Sequence, residues 1–188
     1  PDQTLHGAGK YTRKMRQVGG GRLPVWMFVQ GMANERWFNP TELPELADQA
    51  IDDSKILYPT YEELRFMVFD EIICGATGLA FSMYGTPIES RMWRDIERVA
   101  SELSGLHDAL AAPPASANIE LSYTDLGYTI WDGVETIARR LGDDVYLFAA
   151  NTAFDPARVS IAIEGVDAKG VAVVEGMDRE LPVSGGRI

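Results

Sequence analysis

Two short segments concentrate side chains able to do chemistry. Residues 30–37 contain Gln30, Glu35, Arg36 and Trp37, and residues 82–89 contain Tyr84 and Glu89. Glu35 and Glu89 are the carboxylates of these segments, and a carboxyl whose ionisation is held back by burial can act as general acid or base. Gln30 and Arg36, with Asn34, offer hydrogen bonds to hydroxyl groups, and Tyr84 adds a phenol. Trp37 presents a flat apolar face that suits the C–H face of a pyranose. Each residue also has a purely architectural reading: Gln30 satisfied by neighbouring backbone, Trp37 pinning a long loop to the body, the two glutamates solvated.

Other chemistries find little support. Cys74 is the single cysteine, so neither an intrachain disulfide nor a multi-cysteine metal site is available, and its apolar helical surroundings read as a buried core thiol. His6 and His107 are far apart, and no His-x-x-x-His or Cys-x-x-Cys spacing suggests zinc. Glu42, Glu45, Asp48, Asp52 and Asp53 lie in a long polar segment without the alternating Asp pattern of a calcium loop, so no metal is implied. Gly19-Gly20-Gly21 precedes a strand rather than opening a helix, and no P-loop or Gly-x-Gly-x-x-Gly is present, so no nucleotide or other cofactor is implied. With 28 acidic against 17 basic residues the net charge of −11 repels phosphate backbones and anionic lipids, which argues against nucleic acid and membrane as partners. No apolar run approaches the roughly 20 residues that cross a bilayer.

The elements that must hold the two segments follow from periodicity. Residues 9–18 are helix-permissive, and the three glycines stop them. Residues 24–30 form a short apolar run expected as a strand buried on both faces, with Trp26 in the core. Thr60 followed by Glu63 is a capping box that opens a helix running to about Cys74, where Gly75 ends it. Residues 78–84 are a second buried strand. Met92, Trp93, Ile96, Val99, Ala100, Leu103, Leu106 and Leu110 then line one face of a single long helix, with Trp93 as a core residue. Helix, strand, helix, strand, helix is the rhythm of parallel βα units, and such sheets carry their sites at the C-terminal strand ends, which is where the two segments fall.

Pro113-Pro114 ends the last helix and marks a boundary between residues 1–112 and 113–188. Beyond it, short alternating segments at 136–141, 145–150, 158–164 and 170–174 read as antiparallel strands of a small sandwich. Trp131 is a packing anchor or a carbohydrate platform. The sequence stops at residues 185–188 as a further strand begins, so both ends are expected to be truncated.

Arg22-Leu-Pro-Val-Trp-Met-Phe-Val-Gln30, Tyr58-Pro-Thr-Tyr-Glu-Glu-Leu-Arg65, Gly75-Ala-Thr-Gly-Leu-Ala-Phe81 and the Met92-Trp93 helix with Glu102-Leu103, in this order, resemble the C-terminal part of glycoside-hydrolase-like (β/α)8 barrels of the retaining clan that includes β-galactosidases. Residues 145–151 look like the start of the small domain that often follows such barrels. The resemblance implies that residues 24–30 and 78–84 are the seventh and eighth strands, with the first six supplied by another part of the product or another chain. It also implies action on a poly- or oligosaccharide through two carboxylates, one of them a nucleophile at the end of strand seven. Here that position is Gln30, which can bind a sugar but cannot attack an anomeric carbon. A non-catalytic carbohydrate-binding or structural barrel is therefore the alternative. Secretion and a bacterial cytoplasm suit the composition equally.

Overall fold

Local signals set most element ends. Helix α1, Gly7–Val18, stops at Gly19, after which Gly20 and Gly21 take φ of 61° and 71°, a region open to glycine at little cost. Strand β1, Trp26–Gln30, starts two residues later than expected because Pro24 has no N–H to give a ladder. Helix α2, Tyr61–Ile73, opens on Thr60, whose Oγ1 accepts from the Glu63 amide at 3.2 Å while the Thr60 amide donates to Glu63 Oε2 at 2.7 Å. Losing one such cap costs about 1 kcal/mol. Thr60→Ala is expected to lower the stability of the chain by that amount in urea unfolding, and an unchanged midpoint would show the cap to be dispensable.

Strand β2 spans Gly78–Ser82 and helix α3 Arg91–Gly105. The single long helix expected from the apolar stripe is interrupted: Leu106, at φ −98° and ψ 3°, separates α3 from the short α4, His107–Ala111. Gly105 is a poor helix former at the break, and the apolar spacing of the sequence runs on across it. Ala112 is extended ahead of Pro113, which closes the helical region.

The structure is a computed structural model that describes residues 4–32, 58–83, 86–116, 118–125, 133–167, 169–174 and 179–188. The chain divides into two compact units, Pro1–Gly105 and Leu106–Ile188. In the first, β1 and β2 pair in parallel from Trp26↔Gly78 to Gln30↔Ser82. Helix α2 connects them in the sense of a βαβ unit and packs on β1, with α1 and α3 packed on α2. The fully buried side chains Val29, Leu64, Val68, Met92 and Val99 form the core of this unit. Arg65 on α2 grips Glu102 on α3 with Nη2–Oε1 at 2.6 Å and Nε–Oε2 at 2.8 Å, and Arg98 lies over the Tyr61 ring.

The second unit is antiparallel throughout its described strands. Strands β3 (Ile119–Asp125) and β6 (Arg158–Ile163) pair, as do β4 (Val134–Leu141) with β5 (Asp144–Asn151), and β7 (Gly170–Val173) with β8 (Glu180–Val183). Among its described residues, Ala109, Ala112, Ala138, Phe148, Ala150, Ile161 and Ile163 are the buried apolar side chains. The molecule is thus mixed α/β, a parallel pair with helices followed by several antiparallel two-stranded sheets.

Candidate functional site

Among the described residues, the β1–β2 pair is covered on one side only. Side chains alternate across a strand, so Val25, Met27 and Val29 share one face and Trp26, Phe28 and Gln30 the other. Val29 is 1% exposed, whereas Trp26 is 68% and Phe28 75% exposed. Residues 24–30 were expected to be buried on both faces with Trp26 in the core. That expectation fails, because an apolar run does not reveal whether a second layer exists to cover it. Trp93 is likewise only half-buried, its indole N–H donating to Glu97 at 3.1 Å. On the uncovered face the register sets Gly78, Ala80 and Ser82 beside Trp26, Phe28 and Gln30. The Trp26 indole lies over Gly78 so closely that a Cβ there would sit 2.6 Å from the ring, which is why that position is glycine.

At the C-terminal end this apolar face turns polar. Gln30 and Ser82 stand side by side in the register. The Gly31 amide donates to the Ser82 carbonyl at 2.9 Å, and Thr86 Oγ1 donates to the Gly31 carbonyl at 2.8 Å, which fastens Thr86 to the end of β1. Gly31 has no room for a side chain there, since a Cβ would come within 2.9 Å of the Ser82 carbonyl. Gln30 turns its amide back along its own chain, Nε2 donating to the Met32 carbonyl at 3.0 Å. Glu89 is exposed just before α3, where its carbonyl accepts from Arg94 at 2.7 Å, and its carboxylate shares no hydrogen bond with Gln30. Glu35, Arg36, Trp37 and Tyr84 lie outside the described residues, as do Trp131 and the acidic residues of the 42–53 segment.

No family model, curated protein or solved structure matches this chain. Besides the polar row at the strand ends, the first unit holds a second polar assembly that sequence spacing did not reveal.

That assembly joins α1 to α2. His6 Nδ1 lies 3.0 Å from Asp70 Oδ2 and 3.2 Å from Oδ1, with the two side chains 4% and 0% exposed. The Gly9 amide donates to Asp70 Oδ2 at 3.0 Å, and Arg13 Nη2 donates to Cys74 Sγ at 3.2 Å. Cys74 is buried as expected, but its neighbours on this side are polar. Glu71, 1% exposed, has Oε2 buried without a hydrogen-bond partner. Burial, and secondarily the charge of Asp70, push its carboxyl up to about 7. His6 and Asp70 are 64 positions apart, so no local motif marks them; the small residues Gly7 and Gly9, which allow α1 to approach closely, are the one trace in the sequence. Among the described residues no cluster of three or more His, Cys, Asp or Glu side chains could hold a metal, and no helix is long and apolar enough to cross a membrane.

Proposed function

We propose that this chain supplies the last two strands of a glycosidase-like (β/α)8 barrel together with an accessory β-sandwich, and that the assembled protein acts on a poly- or oligosaccharide. The observation carrying this reading is the one-sided parallel pair. Trp26 and Phe28 stand out from a sheet face whose opposite side is packed with helices, and Gln30 and Ser82 form a polar row at its C-terminal end. Apolar side chains of this size are costly to leave in water, and in a closed barrel they would fill the interior layers while the polar row met the ligand. Tyr11, Met15 and Val18, exposed along one side of α1, are a second apolar stripe that a neighbouring barrel helix would cover. The partner in this reading is the rest of the barrel, and the ligand is carbohydrate. Gln30 and the 30–37 and 82–89 segments form the mouth, with Arg36, Trp37 and Tyr84 contacting sugar and Glu35 and Glu89 the candidate acid–base carboxylates.

One observation favours a second reading, a barrel that binds carbohydrate without cleaving it. Gln30 stands where a carboxylate nucleophile would be needed, and Glu89 sits exposed and apart from it.

The native mass of material carrying this chain, combined with assays on aryl glycosides, tests both. A species well above 20.7 kDa that hydrolyses a glycoside supports the first reading; the same species binding oligosaccharide without turnover supports the second. A lone 20.7 kDa species that is cooperatively folded and binds no sugar removes both. In a species that binds, Gln30→Ala is expected to weaken oligosaccharide affinity about threefold to tenfold, the effect of one neutral hydrogen bond of about 0.5–1.5 kcal/mol. Titration calorimetry would read it, and unchanged affinity would take Gln30 out of the site.

A further inference from the structure

The second unit manages its sheet edges strand by strand. A bare row of backbone N–H and C=O groups invites another strand, and proteins cover such rows or blunt them with charge, proline or bulges. On β4 the edge away from β5 is covered by residues 113–115. There the Ala115 amide donates to the Ala138 carbonyl at 2.9 Å and the Arg140 amide to the Pro113 carbonyl at 3.0 Å. The covering segment itself presents Pro113 and Pro114, which have no N–H. On β6 the edge away from β3 is taken by Ile188, which exchanges two bonds with Ile161 at 2.8 and 2.9 Å. Strand β3 carries Glu120 and Asp125 and a register shift beside Asp125, and β7 and β8 are four residues each, with Pro182 in β8.

Strand β5 has none of these devices. Its eight residues pair with β4 without a shift, and from Val145 to Ala150 they include no charge, proline or glycine. Ala138 and Arg140 point their backbone groups at residues 113–115, so their register partners Leu147 and Val145 point theirs the opposite way, as does Ala149 two residues on. Among the described residues nothing accepts from these three amides or donates to their carbonyls.

We propose that this edge pairs with the same edge of a second copy of the chain, antiparallel about a two-fold axis at Leu147. Its parity and its side chains select a second copy. The outward groups fall on odd-numbered residues, and β5 laid antiparallel on itself at this register joins odd to odd, Leu147 to Leu147 and Val145 to Ala149. Residues opposite one another share a face, so the buried Phe148 and Ala150 of both copies stay on one side of the joined sheet. Tyr146 of each copy meets Phe148 of the other in the close, non-hydrogen-bonded positions that favour aromatic pairs, and Asp144 meets Ala150 rather than an acid. A register centred on Phe148 would instead carry Asp143 and Asp144 to the turn of residues 151–155, where Asp155 adds like charge. Because the two-fold uses the same edge on both copies, association stops at two.

Sedimentation of the full chain tests the pairing. A monomer–dimer equilibrium is expected, with a dissociation constant on the order of 10–100 μM, in keeping with an interface made of one strand edge. Leu147→Lys and Leu147→Glu each set like charges opposite one another on the axis and should raise that constant about tenfold or more, whereas an equimolar mixture of the two should dimerise again. In the unaltered chain the amides of Val145, Leu147 and Ala149 should gain hydrogen-exchange protection with concentration, while those of Tyr146 and Phe148, bonded to β4, stay protected throughout. A chain that is monomeric over this range, growth past the dimer, a dimer indifferent to either substitution, or variants that do not recombine each overturns the proposal. Should the variants not fold, exchange decides alone. Protection of the three outward amides at every concentration would mean that the edge is filled within one molecule, and no protection at high concentration that nothing fills it; either result sinks the pairing.

Discussion

Glu71→Gln is expected to raise the stability of the chain by about 3 kcal/mol at pH 8 and to leave it nearly unchanged at pH 4. The folded carboxyl is pushed up to about 7 from an ordinary value of 4.5, first by burial and then by Asp70. Below pH 4.5 the group is neutral whether the chain is folded or not, and no difference arises. Above that point the unfolded chain releases the proton first and gains stability relative to the folded one. The loss grows until about pH 7 and is constant beyond it. At about 1.4 kcal/mol per pH unit of separation it reaches about 3 kcal/mol. Glutamine has a similar shape and never ionises, so its stability curve lacks this fall. Urea unfolding followed by tryptophan fluorescence at the two pH values provides the measurement. Parallel curves for the two proteins would mean that Glu71 finds solvation in the folded state.

Gly9→Ala should produce the second large effect, and its sign separates two principles. Alanine is the better helix former by about 1 kcal/mol, so propensity alone predicts a gain. The added Cβ would however lie 2.3 Å from Asp70 Oδ2 and 2.6 Å from its Cγ. Either the carboxylate leaves His6 and the Gly9 amide, or α1 withdraws from α2. Overpacking of this kind costs about 1–3 kcal/mol, and the unpaired buried groups add to it. A net loss of about 2 kcal/mol in the unfolding of the chain is expected. Gly105→Ala is the control, since a Cβ there meets nothing within 4 Å and should be neutral or slightly stabilising. A gain at both positions would show that the contact at Asp70 gives way easily.

What the sequence made legible was local. Thr60 and Glu63 are three residues apart, and both halves of their capping box form, because a cap needs only its own turn. The glycines after Val18, the two strands and the parallel rhythm were readable for similar reasons. The uncovered face of β1 was not, since Val25, Trp26, Met27, Phe28 and Val29 make the same apolar run whether one or two layers pack on them. The break at Leu106 was hidden by an apolar spacing that persists across it. His6 and Asp70 escaped notice because their meeting depends on the docking of two helices rather than on spacing along the chain. Of the candidate site, Gln30 could be located as a strand-end residue from pattern alone. What its amide binds, the Met32 carbonyl, depended on the local path of the chain after the strand.

The nesting of strands in the second unit also bears on how that unit assembles. Leu141 pairs with Asp144 across Gly142 and Asp143, with Gly142 at φ 62°, so β4 and β5 close over a two-residue turn. The β3–β6 ladder encloses that hairpin and must bring Asp125 opposite Arg158, at the two ends of the intervening residues 126–157. Closing a long loop costs more chain entropy than closing a tight turn, and isolated hairpins form in roughly 1–10 μs. The inner ladder should therefore form first and shorten the effective distance between the outer strands. The rate at which the β3–β6 amides gain protection during refolding would then depend on the turn at Gly142, which belongs to neither outer strand.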